Sequence, residues 1–233
     1  MKDVNKNFLP FWPLALVIVV TLTVTSTAQA SCYDKREPGM DWSGCKKTGK
    51  LLNGQNFSGS KFDNTNFSHS NLENTNFTNA SMVKTELFGA SLNYSNFSGT
   101  DISKATGYQA SFSNAVFIDT LMIKSEFFRA SFKAAKLINV DISRAELGRA
   151  DFSNAELSGV SFELSNLARA SFKGSKLVNV DFRGTHTFLT HFEDSNLRGV
   201  TQLSQMQIEV ACGNDGTQLP DELERPANWP CEE

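Results

Sequence analysis

The sequence predicts a solenoid, and three observations in the chain lead to this fold class. Every fifth residue from Phe57 to Leu197 is large and apolar: 27 of 29 such positions hold Phe, Leu, Ile or Met, the exceptions being Gly107 and Thr187. The residue two places earlier is always Ala, Ser, Thr or Val, from Ser60 to Val200. No insertion breaks this register across about 145 residues, and an uninterrupted internal repeat is the signature of a repeat architecture.

A period of five fits neither of the regular secondary structures. An amphipathic helix would spread these positions around its circumference, and a strand would place successive large residues on opposite faces. The remaining solution is a coil that turns a corner once in each repeat. Each repeat then points one large and one small residue inward, and its other three positions face water.

Short stretches of the repeat resemble a known family. Ala145–Arg149, Ala150–Asn154 and Ala155–Gly159 are similar to the A-(D/N)-(L/F)-x-x signature of pentapeptide-repeat proteins. The resemblance implies an all-β fold: a right-handed quadrilateral β-helix with four pentapeptides in each coil, hence about seven coils here. Early repeats such as Thr65–His69 have Ser or Thr where that signature prefers Ala, a departure that concerns local packing.

Residues 1–30 have the features of an export signal. Lys2 and Lys6 precede an apolar run, and Ala28-Gln29-Ala30 supplies the small residues that a signal peptidase requires, so we expect cleavage after Ala30. An uncleaved membrane anchor and lipidation at Cys32 are the alternatives. The apolar run is short for a membrane span, and Gln29 is a poor match to an acylation motif. The sequence thus predicts a secreted or periplasmic protein with no membrane span after cleavage.

The four cysteines all lie in the predicted mature chain. An even number in an exported protein indicates disulfides, for which three connectivities exist. If the region between them is a rigid, elongated rod, only Cys32–Cys45 and Cys212–Cys231 are close enough to form. Their spacings match no zinc-binding pattern.

The segments on either side of the repeat are predicted to cap it, because an open end of a solenoid exposes unpaired backbone. We assign residues 31–50 to an N-terminal cap, 51–200 to the β-helix and 201–233 to a C-terminal cap. Trp42 is expected to cover the first core Phe. Ser204–Gln207 is a capping-box pattern that opens a short helix, with Leu203, Met206 and Val210 expected to face the last coil.

The chain offers little catalytic chemistry, and we predict no catalytic, cofactor-binding or metal-binding residues. His186 and His191 occupy consecutive repeats, so they lie on adjacent sides of a coil. No Ser or Cys stands in a nucleophile motif, and there is no phosphate-binding loop. The net charge of −3, near −4 after cleavage, does not favour nucleic acid as a partner.

The outward-facing residues are more informative. Residues 20 apart should stack on successive coils, and the sequence then predicts basic ladders (Lys84, Lys104, Lys124, Arg144; Arg129, Arg149, Arg169) and a shorter glutamate run (Glu126, Glu146). Phe88, Tyr108, Phe128 and Phe188 share one outward position of one side. Tyr108 and Phe188 follow the two defective core positions, so folding inward is an alternative for them.

With outward aliphatic residues, these aromatics predict an apolar belt, and exposed apolar patches usually mark interfaces. The candidate interaction surface comprises Phe88, Tyr108, Ile118, Ile123, Phe128, Arg129 and Arg149. Side-chain ladders that only stabilise the β-helix are the alternative.

The leading hypothesis for function is a non-catalytic, exported interaction or scaffold protein. Its partner is an unknown protein or a second copy of the chain, and a purely structural spacer is the plain alternative. A DNA-mimicking topoisomerase inhibitor, known in the family that the repeat resembles, requires a cytoplasmic location and a strongly acidic face. The export signal and the basic ladders oppose both requirements. A cell-envelope enzyme is disfavoured because no convergent site is visible.

Overall fold

The computed structural model describes residues 32–33 and 35–231. The predicted export signal, residues 1–30, lies outside the described residues. The described chain forms a four-sided parallel solenoid in which bridged residues pair with the residue 20 places later, one coil further on, so the predicted fold class is confirmed. One ladder runs without a break from Asp41 through Lys61 and Ser81 to Asp181 and Thr201, with one residue in each coil. The expected count of about seven coils is therefore slightly low, because pairing begins before residue 51.

Regular strands are long enough to be delimited on one side only. Five parallel strands there form a sheet in sequence order, with Phe117 opposite Leu137 and Leu137 opposite Leu157. Their bounds are β1 Val116–Ile118, β2 Lys136–Ile138, β3 Glu156–Ser158, β4 Lys176–Asp181 and β5 Asn196–Thr201, followed by one helix, α1 Gln205–Glu209. On the other three sides each coil contributes a single bridged residue between turns.

The core follows the predicted register. The twelve largest fully buried side chains are all Phe at the central position of a repeat. Phe152, for example, stacks on Phe132 at 4.8 Å and on Phe172 at 4.9 Å, with the ring planes nearly parallel. Parallel pairing at a fixed step of one coil places like residues above one another, and this produces the aromatic columns along the axis.

The small residues of the repeat let neighbouring coils approach, and most of the buried hydroxyl groups at this position are hydrogen-bonded, with Ser60 and Ser125 as exceptions in the described chain. Thr120 donates to the carbonyl of Phe97 at 2.8 Å and Thr190 to that of Leu167 at 2.8 Å. A buried hydroxyl with such an acceptor costs little. The Ser and Thr residues of the early repeats are thus compatible with the same coil as Ala.

Left-handed backbone at each corner turns the chain from one side to the next. Residues whose numbers end in 4 or 9 have φ near +60° at almost every repeat, as at Asn64 (57°) and Asn154 (59°). Glycine and asparagine tolerate this conformation best, whereas other residues pay about 1–3 kcal/mol. A corner residue other than glycine or asparagine therefore marks a position where a side chain is kept although the backbone conformation disfavours it.

Both ends are closed by a disulfide-tied cap. Cys32 is bonded to Cys45 and Cys212 to Cys231, the connectivity expected for a rod. At the N-terminal end, Trp42 is buried against Phe57, with ring centroids 5.6 Å apart, as predicted. Lys47 places its ammonium over the Trp42 ring, 3.4 Å from the centroid, although it stands at a central position.

At the C-terminal end the capping box forms as expected, because Ser204 accepts from the backbone N–H of Gln207 and the Gln207 side chain accepts from the backbone of Ser204. The residues expected to face the coil are partly wrong: Leu203 packs on the core, but Met206 and Val210 are exposed. Ile208 is buried instead.

The register of the hydrogen bonds explains this difference. The N–H of Phe172 bonds the carbonyl of His191, whereas the N–H of Phe192, one coil later, bonds the carbonyl of Cys212. Cys212 lies one place further along the chain than the regular spacing would give. The helix thus adds one residue to the last turn, and this shifts the inward position to Ile208.

Candidate functional site

One side of the solenoid carries a column of outward aromatic rings, and we call this side the aromatic face. Its central core positions are Leu87, Gly107, Phe127, Leu147, Leu167 and Thr187. Tyr108 stacks between Phe88 and Phe128 with centroid distances of 5.5 Å on each side and interplanar angles of 8° and 15°. Phe88 and Phe128 remain 44% and 37% exposed, so the column is only half embedded in the surface.

Tyr108 and Phe188 stay outside the core, which decides between the two conformations left open for them. At the first defective centre, Phe127 fills the space: a Cβ on Gly107 would lie 2.5 Å from its Cε1. At the second, Thr187 is itself buried and donates to the carbonyl of Gln207 at 2.8 Å. Phe188 is consequently free to remain 46% exposed.

The structure divides the residues of the candidate interaction surface among different sides. Phe88, Tyr108, Phe128, Arg129 and Arg149 share the aromatic face and its edge. Ile118 belongs to β1, on the side with the five strands, and lies half a coil away from Tyr108.

Ile123 lies on the side between these two, and both isoleucines are half-buried. The outward aliphatic residues therefore wrap around the solenoid, and no single flat partner surface can contact all of them.

The two corners that border the aromatic face hold basic residues in left-handed conformation. On one corner stand Lys84, Lys104, Lys124 and Arg144, and on the other Arg129, Arg149 and Arg169, all with φ between 57° and 61°. The other two corners carry no Lys or Arg between residues 54 and 199. The predicted basic ladders thus both flank one face, at positions where glycine or asparagine would fold more easily.

Acidic residues form a second column inside the first corner, at Glu86, Glu126 and Glu146. Glu146 accepts from the side-chain amide of Asn166 at 2.9 Å. Within the part of the chain that the structure describes, none of the seven corner cations has a carboxylate oxygen within 4.0 Å. The face with its corners carries seven cations against three glutamates, in a protein whose net charge is −3.

A depression interrupts the aromatic column, and sequence reasoning did not find it. It has a volume of about 440 Å³ and lies between Phe128 and Phe188, over Gly148 and Ala168, with Arg149 among the residues on its edge. Residues 128, 148, 168 and 188 occupy the same outward position on successive coils. The two small residues between two phenylalanines are therefore the feature of the sequence that indicates a depression.

A titratable group with a shifted pKa, Glu193, lies elsewhere, near the C-terminal cap. Burial alone would raise the pKa of Glu193, but the hydrogen bond from His191 (2.8 Å) and the charge of Lys173 (3.5 Å) outweigh it, so the pKa of Glu193 is lowered. No nucleophilic side chain is hydrogen-bonded to this His–Glu pair among the described contacts. In residues 32–33 and 35–231, no three His, Cys, Asp or Glu side chains converge on a metal position.

Comparison with known proteins identifies the repeat. Eight copies of the pentapeptide repeat match the chain, within residues 56–93, 70–106, 80–117 and 145–184. The chain belongs to the pentapeptide-repeat family. No curated protein matches the chain in sequence.

Solved structures of QnrB1, a plasmid-mediated fluoroquinolone resistance protein, share the fold. A trypsin-treated variant is 20% identical with a TM-score of 0.60, over 79% of this chain and 91% of that one. Full-length QnrB1 is 19% identical with a TM-score of 0.54, over 79% of this chain and 93% of that one. HetL, a pentapeptide-repeat protein involved in heterocyst differentiation regulation in the cyanobacterium Nostoc sp. strain PCC 7120, is 19% identical with a TM-score of 0.37, over 84% and 89%.

Two further observations concern where the protein resides. Its two disulfides are typical of an oxidising, non-cytoplasmic compartment. Among the described residues, no helix has the length and apolar character needed to cross a membrane.

Proposed function

We propose that this pentapeptide-repeat protein is a non-catalytic, exported scaffold whose aromatic face binds an acidic protein partner. The observation that carries the proposal is the coincidence on one face of half-exposed stacked aromatics and seven corner cations. These cations hold a disfavoured backbone conformation and gain no carboxylate partner for it in the described chain. Residues that break a local folding rule without a compensating contact are expected where a function requires them.

The chemistry of the face indicates what kind of partner fits. Tyr, Phe and Arg are the residues that dominate interface energetics, and aromatic columns offer rigid contact area at small entropic cost. Complementary charge guides association and selects partners. A partner surface with Asp and Glu around an apolar contact would match the corner cations and the column of Phe88, Tyr108 and Phe128.

The alternatives lack a comparable observation. A DNA mimic requires an acidic face, and the face with the exposed aromatics is basic. A purely structural spacer would stabilise its coils equally well with Gly and Asn at every corner, as the other two corners mostly do. Export rests on the signal-like residues 1–30 together with the disulfides.

A photo-crosslinking amino acid at position 128, introduced in the cells that make the protein, tests the proposal. We expect one discrete adduct with a heterologous acidic protein. The adduct should be lost with Arg149→Glu, which reverses a corner charge beside the probe, and retained with Lys133→Glu, an exposed residue on the next side.

Self-adducts alone, together with a folded monomer for Phe128→Asp by light scattering, would replace the heterologous partner by a homo-oligomer. Adducts that are equally strong in both charge variants would contradict the role of the arginine corner.

A further inference from the structure

The depression on the aromatic face is a break in an otherwise regular stack. Rings follow one another at 5.5 Å from Phe88 through Tyr108 to Phe128. Gly148 and Ala168 then stand where the next two rings would be, and a ring returns at Phe188. Phe128 leans over Gly148, since a Cβ there would lie 3.0 Å from its ring carbons, and it buries that glycine. The open space therefore lies over Ala168, and one ring face of Phe128 borders it.

The charged groups beside the depression differ in how far they are already engaged. Arg129 contacts the Phe128 ring, 5.5 Å from its centroid, and donates to the Tyr108 hydroxyl at 3.3 Å. Arg149 and Arg169 have no carboxylate within 4.0 Å in the described chain. Both are exposed, and coil spacing separates their backbones by about 4.8 Å.

The opposite edge holds Asn166 and His186, which contact each other through Nδ1 of His186 and Oδ1 of Asn166, and the carboxylate of Glu146 lies one coil before Asn166. Asn166 donates to Glu146 at 2.9 Å and accepts from the N–H of Ala168 at 3.0 Å. The ring of His186 lies nearly parallel to that of Phe188, with centroids 6.4 Å apart. The charged residues that line the depression itself are arginines, and among them Arg149 and Arg169 are the two that are not already engaged.

We infer that this depression binds an aromatic ring that carries a carboxylate. The ring lies over Ala168 and continues the stack on the exposed face of Phe128, where offset-stacked aromatics attract one another. The carboxylate lies at the edge, where Arg149 and Arg169 present planar forks that match carboxylate geometry. A volume of about 440 Å³ is within the range of small-ligand sites.

The inference rests on the proposed function, because the depression is part of the same aromatic face, and it specifies the ligand chemistry there. Two sources supply this chemistry: a free aromatic acid, or the C-terminal aromatic residue of a protein. Either ligand would place its ring against Phe128 and its carboxylate against Arg149 and Arg169.

Titration of the isotopically labelled full chain with 2-naphthoate, followed by NMR, tests the inference. We expect saturable shifts confined to Gly148, Ala168, Phe128 and their neighbours, and binding at least tenfold weaker for the neutral 2-naphthamide. Ala168→Phe should abolish binding by filling the gap with a ring. The double change Arg149→Gln/Arg169→Gln should weaken it at least tenfold, since charge-assisted hydrogen bonds are lost.

Lys133→Gln is the matched control, because Lys133 is an exposed cation on the next side, outside the aromatic face, and its loss should leave affinity unchanged. Equal weakening by this control, or no saturable binding of 2-naphthoate up to its solubility limit, would overturn the inference. The double arginine variant keeps the test valid if Ala168→Phe fails to fold.

Two peptides with a C-terminal Trp, one with a free carboxylate and one amidated, distinguish the sources. Tighter binding of the free-acid peptide than of 2-naphthoate assigns the site to protein C-termini, and weaker binding assigns it to small aromatic acids. Crosslinking from Phe88, which lies outside the depression, reports on the proposed function separately. A crosslinked partner without naphthoate binding would overturn only the ligand class.

Discussion

The substitution Gly107→Ala tests whether Phe127 fills the gap at the defective centre of the aromatic face. The new Cβ would lie 2.5 Å and 2.6 Å from two carbons of the buried Phe127 ring. Overpacking of this kind costs about 1–3 kcal/mol, and the loss of glycine's unfolded-state freedom returns about 0.4–1 kcal/mol. We therefore expect the free energy of unfolding to fall by about 1–2 kcal/mol.

Adding Phe127→Leu to the Gly107→Ala variant should restore the free energy of unfolding that Gly107→Ala removes. Alone, the shorter side chain leaves a cavity and costs about 1 kcal/mol, a fraction of a full Phe→Ala truncation. In the double variant the methyl group added at position 107 and the new leucine share the space of the ring, so the two costs should not add. We expect a coupling energy of about 1–2 kcal/mol, typical of residues in contact.

Urea unfolding followed by far-UV circular dichroism measures the cycle, with unchanged m-values as the condition for comparing free energies. Gly107→Ala/Phe162→Leu is the control, because Phe162 lies more than two coils further along, and its effects should add within about 0.5 kcal/mol. If the Gly107/Phe127 pair is also additive within about 0.5 kcal/mol, Phe127 does not fill the gap and our reasoning is wrong.

Three other perturbations address the caps and the acid response. Replacing Cys212 and Cys231 by Ser opens a link across 19 residues and should lower the free energy of unfolding by about 3 kcal/mol, measured by urea unfolding. Glu193→Gln should flatten the loss of stability in acid. A carboxyl with a lowered pKa stabilises the fold above its ordinary pKa, and this contribution disappears as pH falls through the pKa of the folded state. Thermal unfolding across acidic pH measures the difference. Ser204→Ala should remove about 1 kcal/mol of local stability from α1 and speed hydrogen exchange there.

Each of these has an outcome that contradicts it. Unchanged unfolding after loss of the C-terminal disulfide would mean that the cap is held by packing alone. An acid limb of Glu193→Gln that overlays the wild type would remove the hydrogen bond from His191 as a source of stability. Equal exchange rates in Ser204→Ala would show that the capping box contributes nothing to α1.

The sequence predicts the core and the cysteine pairs because an uninterrupted five-residue repeat determines which residues point inward and which residues lie above one another on successive coils. Once Phe152 points inward, Phe132 and Phe172 on the neighbouring coils must stack on it. The same arithmetic would have separated Ile118 from Tyr108, since ten residues are half a coil and place them on opposite sides. The predicted belt groups residues by their outward position in the repeat, and this position is the same on all four sides.

Other features depend on contacts that the repeat does not encode. Ring packing at Gly107 involves the neighbouring coil, so the sequence left the outward position of Tyr108 undecided. The inward residue of α1 depends on one extra residue in the last turn, which selects Ile208 over Met206. The depression exists because Gly148 and Ala168 stand where the neighbouring coils carry aromatic residues. The sequence shows this only when the residues at one outward position are compared from coil to coil.

The central claim is that one side of the solenoid, the aromatic face, is the binding face. Positions 108, 113, 118 and 123 offer the most direct test, because they are half-buried outward residues of one coil, one on each side. A photo-crosslinking amino acid at each, used in the cells that make the protein, compares the four sides under equal conditions. We predict a discrete partner adduct from position 108 and none from the other three. An adduct from position 118 or 123 without one from 108, or equal adducts from all four, would contradict the account.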